Sequence, residues 1–81
     1  MELVTVRYWA GLRAAAGVAE DQVLAGPVSA VLDAVRARHD ERFAAALERC
    51  SLLLDGTQVH DPSSRAEPGA LLDCLPPFAG G

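Results

Sequence analysis

The chain has 81 residues, of which 51% are hydrophobic and 22% charged, and its formal net charge at pH 7 is −4. This length suits one small domain with a modest core and leaves little room for an enclosed catalytic cleft. The negative charge argues against nucleic acids and anionic membranes as partners, since proteins that bind them need clustered cations, so basic protein surfaces are better candidates.

The N-terminal third of the chain predicts a strand, a short helix and a weaker second strand. Residues 3–9 are rich in β-branched and aromatic side chains. Alternate residues of this strand would share one face: Val4, Val6 and Tyr8. Residues 10–16 are alanine-rich, with Leu12 as the apolar anchor, and Gly17 stands where a left-handed C-cap is expected. They predict one or two helical turns, and residues 21–25 predict the second strand.

An amphipathic pattern in the middle of the chain predicts the main helix. Its apolar residues recur at helical spacing: Val28, Val31, Leu32 and Val35. Ser29 is the predicted N-cap of this helix. Asp40 can cap a second helical segment, in which Phe43 and Leu47 stand one turn apart.

The C-terminal part predicts a hairpin, a polar loop and a final strand. Residues 51–54 and 57–59 flank Asp55-Gly56, a pair that accepts the positive φ of a type I′ turn. The loop covers residues 60–69, and the final strand covers residues 70–75. The two faces of this strand carry different residues: Leu72 and Cys74 on one, Asp73 and Leu75 on the other.

Together these elements predict an α+β domain in which a mixed sheet of about five strands packs on one main helix. If the first and last strands pair in parallel at the centre of the sheet, the fold is the ubiquitin-like β-grasp. The domain would cover residues 1–75, and a flexible, extended tail would cover residues 76–81.

This tail is the candidate functional site. Successive prolines remove two backbone donors and end the strand, whereas glycines at the tip leave a thin, unhindered carboxyl group. Six extended residues reach roughly 20 Å, enough to enter a tunnel in another protein. Leu71 and Leu75, on the outward face of the last strand, would be either ordinary surface leucines or part of a docking patch, and their position beside the tail favours the patch. The residues assigned to partner binding and reaction are Leu75, Pro76, Pro77, Phe78, Ala79, Gly80 and Gly81.

Several other residues have two possible roles. Phe78 would either hold the tail against its own sheet or anchor it in a partner's groove, where aromatic residues dominate binding. Cys50 and Cys74 lack metal or redox spacing, so we interpret them as small buried hydrophobes rather than as sulfur-relay thiols. His39 and His60 lack partners at ligand or triad spacing and are expected to face solvent.

The residue types and segments that are missing from the sequence also bear on its chemistry and its cellular compartment. All of its seven basic residues are arginine, so without lysine the chain cannot build isopeptide-linked chains on itself. It shows no signal peptide and no uncharged apolar stretch of about 20 residues, so we expect a soluble, cytoplasmic protein with reduced thiols.

Three segments of the chain match a known pattern: Tyr8-Trp9-Ala10 running into Leu12-Arg13-Ala14-Ala15-Ala16-Gly17, the turn Leu54-Asp55-Gly56, and the ending Leu75-Pro76-Pro77-Phe78-Ala79-Gly80-Gly81. With these marks the whole chain resembles the small sulfur carriers of the ThiS/MoaD-like family, and within it the small subunit of molybdopterin synthase. A double proline behind a hydrophobic strand, four residues before the end, is more specific than the bare Gly-Gly.

The resemblance implies a non-enzymatic carrier that binds no cofactor or metal itself. An activating partner, acting as adenylyltransferase and sulfurtransferase, would use ATP with Mg to adenylate Gly81. Sulfur from a persulfide would then replace AMP and give a C-terminal thiocarboxylate. The large catalytic subunit of molybdopterin synthase, in a heterotetramer with this chain, would receive the tail and use the sulfur to build the molybdopterin dithiolene.

Three alternatives stay open at this point. Within the carrier group, the sulfur could serve the synthesis of the thiamine thiazole or of cysteine. The chain could instead be a ubiquitin-like modifier that is conjugated through Gly81 to lysines of other proteins. It could also be a plain interaction domain in which the terminus is dispensable.

Overall fold

The computed structural model describes residues 2–77, which form ten elements in chain order. They are β1 (Leu3–Tyr8), α1 (Ala10–Ala16), β2 (Glu20–Leu24), β3 (Gly26–Pro27), α2 (Val28–Arg36), α3 (Glu41–Glu48), β4 (Ser51–Leu54), β5 (Thr57–Gln58), β6 (Arg65–Ala66) and β7 (Leu71–Leu75). The predicted strands run one residue too far at Trp9, Ala25 and Val59. The second predicted strand also begins one residue late, at Asp21, and the last begins one residue early, at Ala70. None of the helices in residues 2–77 has the length and apolar character to cross a bilayer.

Two strands from opposite ends of the chain form the centre of the main sheet. The order of its five strands is β2-β1-β7-β4-β5. β1 and β7 run parallel, with Thr5 opposite Leu71 and Tyr8 opposite Cys74, and the other neighbours in this sheet are antiparallel. The predicted β-grasp arrangement is therefore confirmed. Because parallel strands end at the same edge, the chain leaves β7 at Pro76 beside the end of β1.

The helices cover one face of this sheet and enclose the core. The sheet contributes side chains that are at most 3% exposed: Val4, Val6, Tyr8, Val23, Leu72 and Cys74. The helices contribute a second set with the same low exposure: Leu12, Val28, Val31, Val35, Phe43 and Leu47. Burying each large apolar side chain contributes about 1.5–3 kcal/mol. The faces predicted from the alternation in β1 and β7 are therefore correct.

Two helix ends follow the local sequence as predicted. At the end of α1, Gly17 adopts φ 76° and donates its N–H to the Arg13 carbonyl at 3.0 Å. This left-handed residue satisfies a helix-end carbonyl that would otherwise lack a donor. At the start of α3, the Asp40 carboxylate accepts from the Phe43 N–H at 3.0 Å.

The predicted cap of the main helix is wrong. α2 begins at Val28, directly after Pro27, so Ser29 lies inside the helix and caps nothing. Backbone carbonyls of a distant loop satisfy the first N–H groups instead. The Val28 N–H donates to Ser64 at 2.8 Å, and the Ser29 N–H donates to Pro62 at 2.9 Å. Tertiary contact replaces the local cap, which a sequence pattern cannot reveal.

The hairpin turn agrees with the prediction, whereas the loop after it contains more structure than expected. Asp55 and Gly56 have φ 49° and 85°, as a type I′ turn requires. Residues 60–69 were expected to form only a polar loop, but β6 pairs there with β3 through Gly26 opposite Ala66. This short ladder holds the loop against the start of α2.

Two glycines of α1 provide a matched test of the left-handed cap. A Cβ added at Gly11 or Gly17 would meet no atom within 4 Å, so only backbone conformation distinguishes the two sites. We expect Gly17→Ala to lower the free energy of unfolding by about 1 kcal/mol, because its φ is positive. Gly11→Ala, inside the helix, should raise it by about 0.5–1 kcal/mol. Urea denaturation measures both values, and changes of the same sign would contradict the assigned cap.

Candidate functional site

The tail begins at the end of the most central strand of the sheet. Ser51 of β4 lies opposite Leu75, the last residue of β7. Pro76 is half-buried and Pro77 is exposed. Since neither proline has an N–H to donate, the ladder cannot continue through them. Four of the predicted site residues lie outside the described residues, and their roles stay predictions: Phe78, Ala79, Gly80 and Gly81.

Beside the root of the tail, apolar side chains lie on the face of the sheet away from the helices. Leu71 and Leu75 are half-buried and alternate along β7 with the fully buried Leu72 and Cys74, as predicted. A third half-buried leucine, Leu53, lies on the adjacent strand β4. We call these residues, with Trp9 at the end of β1, the outer patch: Trp9, Leu53, Leu71 and Leu75. The docking role of the patch stays a prediction.

A charged cluster that sequence reasoning missed lies within this patch. The Arg7 Nε and the Trp9 Nε1 both donate to Asp73 Oδ1, at 2.9 and 2.8 Å. The Arg7 guanidinium lies 5.1 Å from the centroid of the indole ring. Burial raises the pKa of the Asp73 carboxyl, but the bonds from Arg7 and Trp9 outweigh this effect, so the pKa is lowered overall. Asp73 is therefore ionised at neutral pH and holds both side chains in place.

The register of β1 and β7 explains why the sequence alone did not reveal this cluster. Arg7 lies directly opposite Asp73 in the parallel pair, although they are 66 positions apart in the chain. The alternation in each strand places both residues on the outward face. Only the register shows that they meet.

The prediction that His39 faces solvent is wrong. Its side chain is only 13% exposed, and its Nε2 lies 2.6 Å from Asp21 Oδ2. The Tyr8 hydroxyl donates to the same oxygen at 2.7 Å, and the Phe43 ring packs against the imidazole at 4.4 Å between centroids. The partner carboxylate is 18 positions away, so no local spacing could reveal it. His60 is exposed, as predicted.

This second cluster joins β1, β2 and the link between α2 and α3. Burial raises the pKa of Asp21, but hydrogen bonds from His39 and Tyr8 and the nearby Arg38, at 3.6 Å, lower it by more. Burial is the main cause of the raised pKa of Tyr8, and the hydrogen bond to Asp21 is the second cause. The phenol therefore stays a neutral donor. The cluster thus has a structural role, away from the outward face of the sheet.

The cysteines have the properties of core residues. Cys74 is fully buried and Cys50 is half-buried, with its Sγ 3.4 Å from the Ala46 carbonyl oxygen. Burial raises the pKa of Cys50 to about 11 and that of Cys74 to about 12. Both thiols are therefore protonated at neutral pH and are poor nucleophiles, in agreement with the interpretation as small hydrophobes. In residues 2–77, no group of three or more His, Cys, Asp or Glu side chains is placed to hold a metal ion.

Comparison with known proteins identifies the fold. No family model matches the chain, and no curated protein does. Among solved structures, the small archaeal modifier protein 1 of Haloferax volcanii has a TM-score of 0.85 and 20% identity, covering 98% of this chain and 99% of that one. A putative molybdopterin converting factor subunit 1 of Pyrococcus furiosus has a TM-score of 0.81 and 21% identity, covering 96% and 100%.

A third structure contains a partner. It is a protein–protein complex of subunits 1 and 2 of the molybdopterin-converting factor of Helicobacter pylori, matched with a TM-score of 0.70 and 20% identity over 98% of this chain and 99% of that one. By their names, these neighbours are subunits of molybdopterin-converting factors and a modifier protein, and each is 20–21% identical to this chain. At such identities the likeness establishes the shared fold: this chain is an α+β protein of the β-grasp type.

The Asp21 cluster makes a prediction about pH. Because the folded-state pKa of Asp21 is lowered, its contribution to stability is present above the unfolded-state value of about 3.9 and is lost as pH falls through the folded-state value. We expect Asp21→Asn to lower the free energy of unfolding by about 1–2 kcal/mol at pH 7. The difference from wild type should shrink below about pH 4.

Urea denaturation at neutral and acidic pH measures this difference. Asp33→Asn is the matched control, since Asp33 also pairs with an arginine but is 77% exposed. It should change the free energy of unfolding by less than about 0.5 kcal/mol. A destabilisation by Asp21→Asn that stays constant down to the lowest pH would contradict the assigned charge of the cluster.

Proposed function

We propose that this protein is a sulfur carrier in molybdopterin synthesis and that the Gly81 carboxyl group carries the sulfur. The observation that carries the proposal is the parallel pairing of β1 with β7, which directs the chain out of the centre of a rigid sheet at Pro76-Pro77. The remaining residues of the sequence are Phe78-Ala79-Gly80-Gly81. The likeness to a molybdopterin converting factor subunit 1 supports the choice of pathway.

The proposed chemistry explains why the reacting group should lie on a slender tail. A carboxylate is a poor electrophile, so an activating enzyme joins the Gly81 carboxylate to the α-phosphate of ATP, with Mg, and releases pyrophosphate. The terminal sulfur of a persulfide then displaces AMP and forms an acyl disulfide. A thiol attacks the S–S bond of this intermediate, which releases the thiocarboxylate and leaves the thiol in a new disulfide. Each step takes place in a partner's active site, which the folded body of this protein could not enter.

The proposed partners are therefore two. One is the adenylating enzyme with its sulfur source, and the other is a large catalytic subunit that forms a heterotetramer with this chain and takes the sulfur from Gly81. The Helicobacter pylori complex of subunits 1 and 2 supports a partner of the second kind. The carrier itself supplies the acyl group and the docking surface, and we propose that it acts in the cytoplasm.

A second candidate function is that of a ubiquitin-like modifier. It is supported by the likeness to the small archaeal modifier protein 1, with its TM-score of 0.85. In that case Gly81 would be transferred to lysine amines of other proteins. Since this chain has no lysine of its own, it could not form chains through its side chains. Carriers for thiazole or cysteine synthesis would share the thiocarboxylate and differ in the enzyme that accepts the sulfur.

Intact mass after incubation with the adenylating enzyme, ATP and a persulfide donor tests the proposal. We expect exchange of one oxygen for sulfur at Gly81. Deletion of Gly81, or addition of one residue after it, should abolish the exchange. The melting temperature should not change, since the fold of residues 2–77 is complete without the last residue. An adduct on lysines of other proteins would favour the modifier instead.

A variant with Cys50→Ala and Cys74→Ala is the matched control. A persulfide on a cysteine would add a sulfur without loss of oxygen, whereas a thiocarboxylate replaces an oxygen. We expect the double variant to undergo the same exchange as wild type, because both thiols have raised pKa values. Exchange in the Gly81 deletion would contradict Gly81 as the acceptor. Loss of exchange in a folded double variant would contradict the interpretation of the cysteines as small hydrophobes and would indicate that one of them relays the sulfur.

A further inference from the structure

Most of the hydrogen-bond donors of Arg7 are not used by the described part of the chain. The guanidinium has five N–H donors, of which the Nε donor bonds to Asp73 at 2.9 Å. Towards residues 2–77, neither its Nη1 nor its Nη2 donates a hydrogen bond. The Arg7 side chain is 41% exposed, whereas that of Asp73 is only 14% exposed. The part of this pair that solvent or a partner can reach is therefore the fork of the arginine.

This fork is held in a fixed position. The bond to Asp73 fixes one edge of the guanidinium, and the indole of Trp9, itself bonded to Asp73, lies 5.1 Å from its carbon. A stacked, bonded arginine loses less side-chain entropy on binding than a free one. Glu20 lies opposite Arg7 on β2, yet in the described part of the chain Arg7 forms its ion pair with Asp73.

The fork lies on the same face of the sheet as the outer patch, close to the root of the tail. Asp73 precedes Pro76 by three residues, roughly 10 Å along the strand at about 3.3 Å per residue. Leu53 of β4 lies opposite Asp73, on the side away from Arg7. Leu71 and Leu75 lie two residues before and after Asp73, on the same face of β7. A partner that takes the tail into its active site would thus cover Arg7 together with the outer patch.

Covering this arginine requires an acceptor on the partner. Buried guanidinium donors left without acceptors are costly, because they lose their water and gain nothing. A carboxylate matches the planar fork in geometry and charge better than a single carbonyl does. Tryptophan and arginine are also the residues most often found at the energetic centre of an interface.

We infer that Arg7, positioned by Asp73 and Trp9, is a specificity-determining contact that binds an acidic side chain on the large subunit that receives the tail. The inference rests on the proposed function for the identity of that partner. The net charge of this chain, −4, favours basic partner surfaces in general. Arg7 is a local exception that fixes the register of docking, since a misplaced partner would leave the fork unpaired.

Calorimetric titration with the purified large synthase subunit of the same organism tests the contact. We expect Arg7→Gln to raise Kd about tenfold at low salt. In Arg7→Lys, more than half of the increase in log Kd seen with Arg7→Gln should remain, since an ammonium lacks the planar fork of donors. The wild-type affinity should fall between about 0.05 and 0.5 M salt more steeply than that of Arg7→Gln, because an ion pair is screened.

Arg36→Gln is the matched control. Arg36 is 37% exposed and bonds to Asp33 at 2.9 Å, so it loses the same charge in a similar setting, but it lies on α2, on the helical side of the sheet. It should bind as wild type does. Equal Kd values for Arg7→Gln and wild type, with unchanged melting temperatures, would overturn the contact. A tenfold loss of affinity in Arg7→Gln with the same salt dependence as wild type would also overturn it, because it would indicate a carbonyl acceptor. Absence of any binding by the wild-type chain would overturn it as well.

The outcome is distinguishable from failure of the proposed function. Oxygen-for-sulfur exchange at Gly81 is measured with the adenylating enzyme and does not involve the large subunit. A wild-type chain that binds through Arg7 but forms no thiocarboxylate would overturn the carrier role and leave the contact in place. A chain that forms the thiocarboxylate but binds equally well with Arg7→Gln would do the reverse.

Discussion

The parallel pairing of β1 with β7 determines the rest of this structure. It joins the beginning and the end of the described chain at the centre of the sheet, with Val6 opposite Leu72 and Arg7 opposite Asp73. The same register turns the apolar residues of both strands towards the helices and the charged pair towards the open face. Because side chains alternate along a strand, a slip of one residue would bury Asp73 and expose Leu72. The buried face therefore fixes both the geometry of the outward cluster and the point where the tail leaves the sheet.

In the proposed function, this arrangement separates the folded body from the end that reacts. Three of the ionisable groups with shifted pKa values fit structural roles: Asp21 ties strands to the helix link, and the thiols of Cys50 and Cys74 are kept protonated by burial. The proposed reactivity resides in a carboxyl group that needs activation by another enzyme. In the proposed function, such a protein needs a recognisable surface near its tail more than a catalytic cleft, and the outer patch with Arg7 at its centre is the surface that we propose for this role.

Local chemistry predicted most of the fold, and the parallel pairing of the first and last strands was expected, whereas most side-chain and capping contacts between distant segments were missed. The alternation in β1, the Asp55-Gly56 turn and the Gly17 cap each depend on neighbouring residues, and each is confirmed. The start of α2 is capped by a loop more than thirty positions away, and His39 is covered by packing against β1, β2 and α3. The Arg7 cluster needed the register of a parallel pair. Sequence patterns identify faces, but only the folded chain shows which faces meet.

The carrier role is tested most directly by the C-terminal peptide of the protein isolated from its own organism. Mass spectrometry of that peptide, from cells with and without the adenylating enzyme, shows where the chain ends and what the last carboxyl group bears. The proposal predicts an end at Gly81, with part of the population carrying sulfur in place of one oxygen only when the adenylating enzyme is present. A natural chain that continues beyond Gly81, or a Gly81 found solely in amide bonds to other proteins, would contradict it.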